Sequence, residues 1–152
     1  MRITKRDFII AIFLVMLLIF TFIARPSICI IEGDSMEPTF YDEQVLLTVR
    51  PSQIRRNEIV IIKREDGPTI IKRVIGIPYD TVHIHDGRVY VNEEMADERQ
   101  TDFAGLAFTP LTLGEGEYFV LGDNREKSLD SRYKEISIVD EEQILRKVVL
   151  VD

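Results

Sequence analysis

One serine and one lysine in this 152-residue chain stand where they could do covalent chemistry together. Ser35 lies in the stretch Glu32-Gly33-Asp34-Ser35-Met36-Glu37-Pro38-Thr39. Gly33 lets another chain approach the backbone closely, and Pro38 fixes the exit of the turn. A serine on such a turn presents its hydroxyl at the edge of a sheet. The same stretch, taken alone, also reads as an ordinary turn with a surface serine, because Gly, Ser and Pro favour turns for conformational reasons.

Lys72 falls in a β-rich run. If residues 69–76 are a strand, Ile70, Lys72, Val74 and Gly76 share one face, while Thr69, Ile71, Arg73 and Ile75 share the other. A lysine desolvated among apolar neighbours has its charged form disfavoured and its pKa lowered. Its neutral amine can accept the proton of a serine hydroxyl, the chemistry of a Ser-Lys dyad. The alternative is a lysine whose stem crosses apolar surface while its ammonium reaches water.

A third cluster, Gly122-Asp123-Asn124-Arg125-Glu126-Lys127-Ser128-Leu129-Asp130-Ser131-Arg132, follows an apolar strand. It reads either as a solvated charged loop or as a rigid hydrogen-bonded support for a catalytic amine. The hydroxyls at 128 and 131 and the opposite charges at 130 and 132 suit the second use. His83 and His85 share a strand face, but two histidines and the lone Cys29 are too few for a zinc site, so no metal and no other cofactor is expected.

These residues need elements to hold them. Residues 8–24 form an uncharged run of 17 with Thr21 as its one polar residue, near the shortest helix that spans a bilayer. Arg2, Lys5 and Arg6 precede it and only Arg25 follows closely, which places the N-terminus in the cytoplasm and the body outside. Phe22 and Pro26 make a poor cleavage site, so the segment is expected to stay as an anchor rather than leave as a secretory signal. Residues 1–25 are thus an N-terminus with one transmembrane helix, and residues 26–152 are an extracytoplasmic domain.

The spacing of β-branched runs and turn signals predicts strands at 27–31, 45–49, 58–63, 69–77, 81–85, 88–92, 117–121 and 145–151. Asp86-Gly87 marks a two-residue hairpin, 93–110 shows no period and reads as a surface loop, and Asp140 with Gln143 caps a short helical turn. The body is mostly β, a coiled or barrel-like antiparallel sheet. The formal net charge of -7 is the sum of +2 over residues 1–7 and -9 over the remainder, and that acidic body argues against nucleic acid as a partner.

Three blocks in this order resemble the type I signal peptidase family, membrane-bound serine proteases that remove signal peptides from exported proteins. They are Ser35-Met36-Glu37-Pro38-Thr39, Lys72-Arg73-Val74-Ile75-Gly76-Ile77-Pro78, and Gly122 to Arg132. The resemblance implies Ser35 as nucleophile, Lys72 as general base, and Ser128 hydrogen-bonded to the lysine amine. It places Asp123, Asp130, Arg132 and Arg73 in a supporting polar network. It implies shallow pockets for small residues at substrate positions -1 and -3, lined by Ile31, Met36, Ile70 and Ile71, with Gly33 also among the substrate-binding residues. The partners it implies are preprotein signal peptides and membrane lipid; exposed apolar residues near Met36 and Phe40 are expected to touch that lipid.

Two departures stand out. Gly33 takes a place where some members carry a serine whose hydroxyl helps stabilise the oxyanion, leaving the Ser35 N–H as donor. Tyr79 replaces the glycine of a Pro-Gly-Asp turn, which is expected to alter that turn. A related self-cleaving Ser-Lys protease is a further reading, disfavoured by the acidic body and the lack of DNA-binding helices. A non-catalytic membrane-anchored binding module with the same fold is another, disfavoured by the presence of both Ser35 and Lys72.

Overall fold

A threonine starts the first helix. Thr4 caps α1 (Lys5–Ala24): its Oγ1 accepts the Asp7 N–H at 3.3 Å, and the Asp7 carboxylate accepts the Thr4 N–H at 2.9 Å. Arg25 ends the helix at a left-handed φ of 43°, and Pro26 disfavours helical geometry in the residue before it. This computed structural model describes residues 4–96 and 108–149, without the side chains of Phe20, Ile23, Ala24 and Phe108. The apolar run expected to span a membrane lies wholly within α1, which is helical over 20 residues or about 30 Å. Counting only the described residues, no helix is long and apolar enough to cross a membrane.

Beyond Pro26 the chain is almost wholly β. The strands are β1 (Ser27–Ile30), β2 (Val45–Val49), β3 (Ile59–Ile62), β4 (Ile70–Gly76), β5 (Thr81–His85), β6 (Arg88–Val91), β7 (Glu94–Met95), β8 (Phe108–Thr112), β9 (Glu117–Leu121), β10 (Val139–Asp140) and β11 (Ile144–Val148). The eight expected strands are all present. The expected end of the last, 150–151, lies outside the described residues, as does 97–107 of the expected loop. That loop also holds β7 and β8, and β10 is a further strand the pattern did not show. The Asp86-Gly87 turn takes φ of 48° and 70°, the two positive values a primed hairpin turn requires. Gln143 Oε1 accepts the Asp140 N–H at 2.8 Å and starts the short 3-10 turn Glu141–Gln143.

Among the described residues two antiparallel sheets form. The larger runs β1-β2-β11-β3-β4-β9-β10 and curls into a half barrel; the smaller runs β7-β6-β5-β8. β4 lies inside the larger sheet, paired with β3 on one side (Val60↔Lys72, Ile61↔Ile71) and β9 on the other (Arg73↔Leu121). Both its faces are covered. Val74 packs with Ile54, Val60 and Val120, Ile75 packs with Val82 and Phe119, and Ile71 reaches a third cluster around Ile31 and Leu46. β1, by contrast, is an edge strand.

Met36 and Phe40, near which lipid contacts are expected, are themselves buried, at 0% and 4% exposure, in the third cluster. The exposed apolar face lies instead on β1 and β2, where Ile28 stands opposite Leu47 and Ile30 opposite Val45.

The expected change at Tyr79 is also corrected. Its φ is 73°, the conformation a glycine would take, with the side chain in solvent. Asp80 holds the turn by accepting from the Ile77 N–H at 2.8 Å, Arg56 at 2.7 Å and Asn92 at 2.7 Å. These bonds offset a local strain of about 1 kcal/mol for a bulky residue there.

Candidate active site

The chain leaves β1 through a tight turn. Gly33 has φ 89°, open space where a Cβ would stand, and its N–H donates to Asp42 at 2.7 Å. Two residues later Ser35 is held from below and from the side. Buried Met36 and Phe40 fasten the turn to Leu46 and Ile59, and the Asn124 N–H donates to the Ser35 carbonyl at 3.0 Å.

Lys72 comes from the middle of the sheet. It is 3% exposed, and Nζ lies 2.8 Å from Ser35 Oγ and 2.7 Å from the Ile71 carbonyl oxygen. Burial lowers its pKa from 10.5 to about 8. Asp130 and Asp123 pull it back up, and Arg132 pushes it down. An amine of that basicity, in hydrogen-bond contact with a hydroxyl, can take the hydroxyl proton near neutral pH.

Around the pair stands a buried ionic frame. Asp123 binds Arg73 twice, Nε at 2.8 Å and Nη2 at 2.5 Å, and accepts the Thr39 hydroxyl at 2.5 Å. Asp130, fully buried, takes Arg132 Nε at 2.7 Å, Arg132 Nη2 at 2.9 Å and the Gly122 N–H at 2.9 Å. Arg132 also reaches the Arg125 carbonyl at 2.7 Å. Ser131 closes the loop back on β9, exchanging bonds with Val120 at 3.0 Å. Each carboxylate is paired with a guanidinium, so these ions form a frame that costs less to bury than isolated charges would.

Gly122 sits at the crossing of loop and turn. A Cβ there would lie 2.1 Å from Ser128 Oγ and 2.6 Å from the Ser35 carbonyl oxygen, so only glycine fits. Ser128 is therefore packed against Gly122, and its buried Oγ has no hydrogen-bond partner among the described residues. The expected bond from Ser128 to the lysine amine is not formed in this structure; Ser35 and the Ile71 carbonyl take the amine instead.

A cavity of about 270 Å³ opens beside Ser35 and Lys72. Ile31, Ile70 and Ile71 line it as expected, with Cys29, Ile61, Pro68 and Thr69 added. Alternation along β1 puts Cys29 on the side of Ile31, a sign the sequence carried. Met36 is corrected: it lies under the turn in the core rather than on the cavity wall, and Gly33 is not on the wall either. Among the described residues no three His, Cys, Asp or Glu side chains converge as metal ligands.

The family model described as "Signal peptidase, peptidase S26" matches residues 2–151. Signal peptidase I of Bacillus licheniformis is 36% identical over 144 residues, covering 84% of this chain and 76% of that protein. Signal peptidase I S of Bacillus subtilis is 36% identical over 132 residues, covering 76% and 70%. The crystal structure of a signal peptidase I from Enterococcus faecalis matches with a TM-score of 0.51 at 28% identity, covering 65% of this chain and 98% of that one.

Proposed function

The chain belongs to the signal peptidase family, peptidase S26, and from that premise we propose that it cleaves with Ser35 as nucleophile and Lys72 as general base. It is a signal peptide-removing peptidase. The observation that carries the dyad is the 2.8 Å contact between a buried lysine amine and the Ser35 hydroxyl.

Ser35 Oγ attacks the carbonyl carbon of substrate residue -1 while Lys72 Nζ takes the hydroxyl proton. The oxyanion accepts a hydrogen bond from the Ser35 N–H. The C–N bond then breaks as Lys72 returns its proton to the leaving amine, and an ester remains on Ser35. Water deprotonated by Lys72 hydrolyses that ester and restores the serine. Asp123, Asp130, Arg73 and Arg132 hold the frame, and no metal or cofactor takes part.

The preprotein lies extended along the edge of β1, so residues -1 and -3 point to the same side. The cavity of Ile31, Ile70 and Ile71 supports small side chains at both positions.

α1 anchors the chain in the cell membrane as a single pass, with residues 1–25 forming the cytoplasmic N-terminus and span and residues 26–152 the extracytoplasmic domain. Support comes from exposed apolar side chains along the helix, such as Phe8, Phe13, Leu18 and Phe22, and from the basic flank at its start. The exposed pairs Ile28–Leu47 and Ile30–Val45 follow directly after the helix and face lipid.

Incubation of the purified chain with a preprotein, followed by sequencing of the product, tests the activity. A new N-terminus directly after a small-x-small segment is expected; an uncut preprotein sinks the proposal. Protease added outside protoplasts digests the body and spares the N-terminus if the topology is right.

A further inference from the structure

The nucleophile turn carries an ion pair that the dyad does not use. Lys127 Nζ lies 2.5 Å from Asp34 Oδ2, a contact between residues 93 positions apart. Asp34 is the residue directly before Ser35, and its backbone carbonyl accepts the Glu37 N–H at 3.2 Å. From the same loop, three residues before Lys127, the Asn124 N–H holds the Ser35 carbonyl at 3.0 Å. Loop 122–127 therefore grips Ser35 on both sides, by a backbone bond after it and an ion pair before it.

The Asp34–Ser35 peptide carries the Ser35 N–H. Gly33 supplies no hydroxyl beside it, so the direction of that one N–H matters for binding an oxyanion. Among the described residues the other side-chain bonds of this turn fall to either side of that peptide: Gly33 is tied to Asp42 before it and Thr39 to Asp123 after it.

We propose that Asp34 and Lys127 are positioning residues that fix the Ser35 N–H for the oxyanion. This rests on the Ser35–Lys72 reading above. The bond to Lys127 lowers the Asp34 pKa and raises that of Lys127, so both stay charged while Lys72 titrates. The pair is partly exposed, with side chains 42% and 58% accessible. Salt weakens such a pair, and its removal barely moves stability. Its effect falls on kcat, where alignment counts.

The test uses the full chain in detergent and compares Lys127→Met, Asp34→Asn and the charge-swapped Asp34→Lys/Lys127→Asp protein. Expected is a loss of about twofold to fivefold in kcat for each single change, with KM and Tm unchanged. The swap restores much of the loss. Wild-type kcat falls as salt rises to about 1 M, while that of Lys127→Met stays flat. Unchanged kcat in Lys127→Met overturns the proposal, as does a loss that the swap leaves in place or one that tracks Tm. Amide exchange at Ser35 by NMR reads the same claim without catalysis: it should quicken in Lys127→Met. A wild type that cuts no preprotein overturns the dyad reading, and the amide measurement still decides this one.

Discussion

The two halves of the site are built in opposite ways. Lys72 comes from a strand with a neighbour on each edge and a packed cluster on each face, and its amine is almost fully removed from water. Ser35 comes from a turn after an edge strand, on the open side of the sheet, next to a cavity. A base needs a dry, fixed place, because desolvation is the main cause that lowers this lysine to a useful pKa. A nucleophile needs access, because a protein chain must reach it. The sheet supplies the first and its edge the second. Loop 122–132 joins the two, touching Ser35 through Asn124 and framing Lys72 through Asp130 and Arg132.

The largest effect comes from breaking either half outright. Ser35→Ala and Lys72→Ala are each expected to lower kcat by about 10,000-fold or more. Lys72→Arg does not rescue, because arginine stays protonated. In the wild type the catalytic form of Lys72 is neutral, so kcat/KM rises with pH to a plateau above about 8.

Stability has its own sign. An unfolded lysine titrates near 10.5 and the folded one near 8, so between these values the unfolded chain binds more protons and stability rises with pH. Lys72→Met removes that cost, on the order of 3 kcal/mol at neutral pH, and should raise Tm while abolishing cleavage. A Met variant that melts lower at pH 7 would show that the amine is not strained by burial.

A smaller break acts on the joint between the halves. Gly122→Ala pushes a methyl into Ser128 and the Ser35 carbonyl, at 2.1 Å and 2.6 Å. Overpacking of this kind costs about 1–3 kcal/mol, and a displacement of Ser35 by about 1 Å costs about 100-fold in kcat. Kinetics and thermal melting of the variant measure both. Wild-type kcat in Gly122→Ala would mean that loop and turn move independently.

The strand half of the site was far more legible in the sequence than the turn half. Period-2 alternation placed Lys72 among Ile70 and Val74, and β-branched runs between turn signals marked all eight expected strands. The two-residue strands β7 and β10 are too short to show a period, and β8 lies in a stretch broken by Pro110. The same rule has no purchase on a turn, so Met36 read as a pocket residue when it is a core anchor. Nor can it orient a hydroxyl in a charged loop, so the expectation of Ser128 on the amine rested on the family resemblance alone. The pairing of Asp34 with Lys127 depends on the closure of the whole sheet. α1 was legible from composition alone, because an uncharged run of 17 residues leaves few other conformations open.

Of these breaks in the two halves and their joint, the smallest should come from Ser128, and it tests whether the buried half is complete as it stands. Its Oγ is buried and unpaired among the described residues, so Ser128→Ala removes a polar atom that lacks a bond and should leave Tm unchanged or higher. Catalysis differs from the resting state. When Lys72 takes the serine proton it becomes an ammonium with three donors, and among the described residues only Ser35 and the Ile71 carbonyl stand in hydrogen-bond contact with it. A rotation of Ser128 Oγ would supply a third acceptor only in the charged intermediate. Ser128→Ala should then lower kcat by about tenfold, the worth of one hydrogen bond, and leave the acid limb of the wild-type profile near its midpoint of about 8. A midpoint shifted downward would show that Ser128 already holds the amine before the reaction, and a fall in Tm would show that its hydroxyl is bonded in the resting protein.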